Sequence, residues 1–192
     1  MKKTVITLTA LATLTGVVWG INSPTKDGEL KVEASQGENI EMTRFQPTST
    51  IKGTKIISAK TINKLFETKT ESDLKGLGET VYKVSVENGI EPGFVAGLIY
   101  YETNKGTSKA FKENNNAFGI LENGSNKIKK FNSVEESLNY GVERLRKNYL
   151  ELGLDNIEKF GNTYAPFWNK FNEKPFGEVY ADIMNEELDI QK

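Results

Sequence analysis

The chain has 192 residues, enough for one domain plus extra segments, and its 25 basic and 26 acidic side chains nearly cancel. That balance argues against nucleic acid as a partner, because domains that bind it carry a clear basic excess. With no cysteine and no histidine, the chain is also denied disulfides, Cys–His and Ser–His nucleophile systems, and zinc sites of the usual His/Cys type.

Residues 1–20 read as an export signal. Lys2 and Lys3 give a basic start, Val5 to Trp19 is uncharged and apolar apart from threonines, and the small Gly20 ends the stretch. Retention as a membrane anchor through residues 5–19 is the alternative, although a spanning helix wants about 20 apolar residues. A buried element of the domain is a third reading, against which stand the Lys-Lys start and the abrupt polarity after Ile21. Residues 21–55 carry Asn22-Ser23-Pro24, Asp27-Gly28 and Pro47-Thr48-Ser49-Thr50, with no period of 2 or 3.6. They predict a flexible linker with room for one short pairing strand.

From residue 56 to 192 the pattern predicts one mostly helical domain. Ser58 is placed to cap a short helix over Ala59 to Glu67. Ser72 is read as opening a longer one, with Leu74, Leu77, Val81 and Val84 on one face and Asn88-Gly89 closing it. Pro92 starts a helix running to Glu102, with Gly106 just beyond. Thr107 to Asn116 is a polar connection with room for one helical turn. Ala117 to Leu121 and Lys127 to Phe131 flank Glu122-Asn123-Gly124-Ser125 and predict a small hairpin. Ser133-x-x-Glu136 is a capping box opening a helix that ends near Gly153. Short helices are expected over Asp155 to Phe160 and Phe176 to Leu188.

The informative residue is Glu102. Phe94 and Leu98 precede it at four-residue steps, with Val95 and Ile99 on the adjacent ridge, so a buried apolar stripe runs into a carboxyl group. Burial disfavours the charged form, and the negative end of the helix dipole acts in the same sense. A carboxyl that stays protonated is what a glycosidase uses to protonate a leaving oxygen. The plainer reading is a solvated glutamate at a frayed helix end, or one paired with Lys105.

The segment Gly97-Leu98-Ile99-Tyr100-Tyr101-Glu102-Thr103-Asn104-Lys105-Gly106-Thr107-Ser108, followed by Asn115-Asn116-Ala117-Phe118-Gly119-Ile120, resembles the glucosaminidase domains of glycoside hydrolase family 73. Those carry Glu-(Thr/Ser)-x-x-Gly-x-Ser and then Asn-Asn-x-Phe-Gly-Ile. Phe131-x-Ser133-Val134-Glu135-Glu136-Ser137, Thr163-Tyr164-Ala165-Pro166 with Trp168, and Ile57 to Asn63 are similar to further family elements, so the resemblance covers residues 56–190. It implies a lysozyme-like fold, with a helical lobe, a small β lobe and a groove between them. It also implies hydrolysis of the peptidoglycan glycan strand after N-acetylglucosamine. By the same resemblance Glu102 is the catalytic acid, Asn116, Phe118 and Gly119 belong to the motif edging the sugar groove, and Tyr164 lies near the scissile bond. The enzyme would act outside the cytoplasm, secreted or bound to the wall, as a monomer, without metal or organic cofactor.

One departure is the short hairpin, where family members often have a longer one bearing a second carboxylate. Glu122 beside its tip is the candidate, against its reading as a solvated turn residue. Glu113, Glu135 and Glu136 are others, and Glu136 is already used by the capping box. The substrate's own acetamido group could instead serve as nucleophile. Tyr101 and Tyr164 are the preferred sugar platforms, ahead of Tyr100, Phe118, Phe167, Trp168 and Phe171, each of which also suits a core. Asn116 is expected to satisfy loop backbone as well as edge the site. Lys127-Ile128-Lys129-Lys130 reads as an exposed strand face, with attraction to anionic wall polymers as the alternative. Two rivals remain: a muramidase or lytic transglycosylase of the same fold, and a non-catalytic wall-binding module.

Overall fold

The computed structural model describes residues 19–21, 32–34, 45–53, 57–68, 71–166 and 173–187. The chain forms two compact units, Met1–Met42 and Thr43–Lys192. In the first, β1 (Trp19–Ile21) pairs antiparallel with β2 (Val32–Ala34), Gly20 lying opposite Glu33. The rest of the signal segment lies outside the described residues.

The second unit is helical. It comprises α1 (Ala59–Glu67), α2 (Gly78–Glu87), α3 (Pro92–Glu102), α4 (Lys109–Asn114), α5 (Val134–Asn148), α6 (Ile157–Tyr164) and α7 (Phe176–Glu187). Several boundaries follow from local chemistry. Ser58 Oγ accepts the amide of Thr61 at the start of α1, Ser133 Oγ that of Glu136 at α5, and Asn156 Oδ1 that of Lys159 at α6. The capping box closes one residue further out than expected, since the Glu136 carboxylate accepts from the amide of Asn132 at 2.8 Å. Past α5 the chain makes a 3-10 turn over Leu150–Leu152 and reverses at Gly153.

The core is organised around α3. Every residue from Pro92 to Tyr100 is buried, so this helix has no polar face and needs neighbours on all sides. Helices α1, α2 and α7 pack against it. The Phe94 ring meets Phe160 of α6 edge-on at 5.0 Å and Tyr180 of α7 at 5.4 Å. Pro92 occupies the first turn, and the buried Glu91 caps it by accepting the amide of Phe94 at 2.6 Å.

Three expectations need correction. Helix α2 begins at Gly78, not at Ser72, because Ser72 Oγ spends its capping capacity on a local turn with Leu74 N. The hairpin is reduced to one bridge, Leu121 to Ile128, flanked by Glu122 N to Lys127 O and Lys129 N to Ile120 O, both 2.9 Å. The linker drawn over 21–55 is too long. Residues 45–52 belong to the domain: Phe45 and Ile51 are buried, Thr50 bridges to Asn156, and Lys52 bridges to Ile90. Asn185 of α7 secures this strap by accepting Phe45 N at 2.6 Å and donating to Phe45 O at 2.8 Å.

Asn185→Ala should therefore leave two buried backbone groups without partners and cost about 1–3 kcal/mol. Urea unfolding measures the loss, and limited proteolysis should show earlier cutting around Phe45.

Candidate active site

The catalytic candidate stands where α3 leaves the core. Tyr101 is 39% exposed, the first residue of the helix to emerge, and Glu102 beside it is half-buried. The helix stops there for identifiable reasons. The buried Thr103 hydroxyl donates back to Ile99 O at 2.7 Å and accepts from Gly106 N at 2.9 Å. Asn104, Lys105 and Gly106 turn through three successive left-handed conformations, with φ of 49°, 60° and 80°. At Gly106 a β-carbon would also run into Ser72 Oγ, so only glycine serves. Ser108 accepts Phe111 N and starts α4. The Thr, Gly and Ser of the motif thus fix the backbone that holds the glutamate.

Tyr164, the last residue of α6, meets Glu102 from the other side. Its hydroxyl donates to Glu102 Oε1 at 2.5 Å. The ring is held by stacking on Phe160 at 4.7 Å and by tilted contacts with Tyr149 and Phe176, both at 6.0 Å. Glu102 Oε2 faces Gly119, where a β-carbon would sit 3.7 Å away. Gly119 has a φ of 61°, a conformation that strains any side-chain-bearing residue. The structure so brings Glu102, Tyr164, Tyr101 and Gly119 together from three separate stretches of chain.

Burial raises the pKa of Glu102, and the Tyr164 hydrogen bond partly opposes the shift. Tyr164 is driven well above the ordinary phenol value by burial and then by the adjacent Glu102, so it stays a donor across the working range. Tyr101 is raised by the same two causes. The arrangement is a half-buried carboxyl with one oxygen accepting a hydrogen bond and the other turned toward the open side of a glycine.

Asn116 departs from its expected share in the groove. It is 1% exposed, and both ends of its amide are occupied. Nδ2 donates to Ile120 O and Lys129 O at 2.8 Å each, and Oδ1 accepts Ile120 N at 2.9 Å. It clasps the loop that carries Phe118 and Gly119 instead of presenting an amide to sugar. Phe118 packs on α5 at Gly141, where a β-carbon would run into its ring. It lines a cavity of about 170 Å³ with Arg144, Asn148, Tyr149 and Tyr164. Tyr100 is a core residue, 2% exposed, its hydroxyl 2.6 Å from Thr68 Oγ1.

The other carboxylate candidates are peripheral in different ways. Glu122 is exposed beside the hairpin turn, Glu136 is committed to Asn132, Glu113 pairs with Lys109 at 3.8 Å, and Glu135 is exposed. Phe167, Trp168 and Phe171 lie outside the described residues. Sequence reasoning missed Arg144 and Asn148, although Tyr140, Arg144 and Asn148 follow one another at four-residue steps on a single helix face.

A family model described as glucosaminidase, mannosyl-glycoprotein endo-beta-N-acetylglucosaminidase, matches residues 78–186. No curated protein matches the chain. Among solved structures the chain is similar to S. aureus autolysin E in complex with the muropeptide NAM-L-Ala-D-iGlu, with 16% identity, a TM-score of 0.55, and 92% of this chain and 84% of that one covered. A catalytic mutant of the same autolysin in complex with the disaccharide NAG-NAM gives the same four values. A major bifunctional autolysin is 18% identical with a TM-score of 0.58, over 75% of this chain and 67% of that one. At such identities the likeness establishes a shared fold.

The raised pKa of Glu102 has a consequence for stability. Between its ordinary value of 4.5 and the higher folded value, the folded state binds more protons than the unfolded, so this group's contribution falls as pH rises through that window. Glu102→Gln should remove the dependence. Relative to the parent protein, its melting temperature should be higher at pH 7 than at pH 4, as differential scanning calorimetry at the two pH values would measure.

Proposed function

The chain belongs to the glucosaminidase family, and from that premise we propose that it hydrolyses the glycan strand of peptidoglycan as an endo-β-N-acetylglucosaminidase with Glu102 as general acid. The observation that carries this reading is the carboxyl at the end of a buried helix, its pKa raised by burial, its Oε1 bonded to Tyr164 and its Oε2 facing Gly119. The bond cut is the one following N-acetylglucosamine.

With Oε1 occupied by the Tyr164 hydroxyl, the transferable proton sits on Oε2, the oxygen facing Gly119. As the glycosidic C–O bond breaks, that proton passes to the leaving oxygen and Glu102 becomes a carboxylate. The Tyr164 bond then becomes charge-assisted and stronger. An interaction that tightens as the reaction proceeds lowers the barrier, whereas one of constant strength only tightens binding. Tyr101, exposed next to Glu102, and Phe118, lining the cavity with Tyr164, supply faces for sugar rings. Glu122 is proposed as the second carboxylate; in its absence from the groove the substrate's acetamido oxygen attacks the anomeric carbon.

The ligands in the autolysin E structures, NAG-NAM and a muropeptide, fit the same assignment here. A wall substrate places the enzyme outside the cytoplasmic membrane, with residues 1–20 directing export or residues 5–19 holding it at the membrane. We take it to act as a monomer.

Glu102→Gln should lower the release of reducing ends from purified sacculi by about 10²- to 10⁴-fold while the protein remains folded. Mass spectrometry of borohydride-reduced products should show N-acetylglucosaminitol. Muramitol would indicate a muramidase and an anhydro sugar a lytic transglycosylase, and either would overturn the proposed bond. Tyr164→Phe removes the bond that lowers the Glu102 pKa, so the alkaline limb of kcat/KM should move to higher pH as kcat falls.

A further inference from the structure

Beyond the acid lies a second feature, on the face of α5 that lines the cavity. Helix α5 carries three cations near its end. Arg146 is bonded to Glu151 and Lys147 to Glu143. Arg144 has no acidic partner among the described residues. Its guanidinium lies 5.7 Å from the centre of the Tyr140 ring and donates to the Tyr140 hydroxyl at 3.4 Å. Lys129 reaches the same ring from the hairpin, with Nζ 5.1 Å from its centre and 5.4 Å from that of Phe131. It too has no acidic partner among the described residues.

Two like charges are thus gathered on one aromatic ring in a chain whose acids outnumber its bases. Attraction to the ring opposes, without removing, the repulsion between them. Both are held in place by the fold. Lys129 is clamped through its backbone, its amide donating to Ile120 O and its carbonyl accepting from Asn116. Arg144 stands one helical turn from Tyr140 and lines the cavity of about 170 Å³ with Asn148, Phe118 and Tyr164. Tyr164 is also the residue bonded to Glu102, so the cavity that Arg144 lines and the acid share a neighbour.

We propose that Arg144 and Lys129, splayed over Tyr140, bind a carboxylate of the peptide carried by the glycan, and so select peptide-bearing wall over neutral polysaccharide. Asn148 adds an amide to the cavity that Arg144 lines. The guanidinium offers the planar donor fork that suits a carboxylate, and Lys129 adds a point charge. This inference rests on the hydrolase reading above and adds the charge class its substrate must bear.

The test compares kcat/KM on sacculi stripped of phosphate polymers with hydrofluoric acid, before and after carbodiimide coupling to ammonia has turned their carboxylates into amides. The parent protein should cleave the amidated wall about tenfold less efficiently, as expected for an interaction of about 1.4 kcal/mol. Arg144→Gln and Lys129→Gln should show that loss already on native wall, mainly as a higher KM, and should lose little more on amidation. Lys147→Gln removes a charge from the same helix away from the ring, and should discriminate like the parent. Equal cleavage of native and amidated wall by the parent would overturn the proposal. So would equal losses in all three variants, which would indicate general attraction, or an Arg144 effect confined to unstripped wall, which would indicate a phosphate polymer. Glu102-dependent release of sugar ends reports on the hydrolase reading separately, so either inference can fail alone.

Discussion

The site depends on one helix ending at one residue. Helix α3 is buried without interruption from Pro92 to Tyr100, and the acid comes two residues later. One turn earlier, its carboxyl would be locked in the core with no route to substrate. One turn later, it would be solvated and ionised. The stop is therefore under strong constraint, and the chain spends unusual backbone on it. Asn104 and Lys105 adopt left-handed conformations ahead of Gly106, at about 1–2 kcal/mol for each non-glycine residue. The Thr103 hydroxyl, bonded on both sides, the amide of Lys105, which finds Tyr100 O in the last turn, and that of Thr107, which finds Thr103 O just past it, offset that strain. Strain of this kind persists only where the surroundings over-determine it.

The remaining parts are brought to Glu102 by two devices. An aromatic stack of Phe160, Tyr149 and Phe176 fixes Tyr164, so its hydroxyl reaches Oε1 without a flexible side chain having to be ordered first. A single buried amide, Asn116, fixes the loop opposite by binding backbone on both arms of the rudimentary hairpin. That explains how so short a hairpin is held together. Its ladder is largely replaced by one side chain, and the same clamp that sets Gly119 against Glu102 also sets Lys129 against Tyr140.

What was legible in the sequence was local. Ser58, Pro92, Asn88-Gly89 and the Ser133 box announce helix ends because each acts within a few residues of itself. Ser72 misled for the same reason, since a serine closing a tight turn looks like one opening a helix. The strap at 45–52 could not be seen, because its composition is that of a linker and its partner, Asn185, lies 140 residues away. The acid on its apolar stripe was visible from four-residue spacing alone. Its partner, 62 residues on, was not, and only the family resemblance pointed to Tyr164. For Asn116, residue type indicated the loop-clasping role, while the resemblance placed it at the sugar; burial decides for the clasp.

The source of the Glu102 shift bears on the chemistry. Its causes are burial, which raises the pKa, and the Tyr164 bond, which lowers it; no second carboxylate contributes. In a coupled pair of acids the proton belongs to both, and losing either partner releases it. Here burial is the one cause that raises the pKa, so the shift does not depend on what supplies the nucleophile. A long hairpin carrying a second carboxylate beside Glu102 would add repulsion and raise the pKa in the same sense as burial does here. The short hairpin ending at Glu122 is therefore compatible with an intact general acid, and a nucleophile from the substrate's own acetamido group would ask nothing of that hairpin.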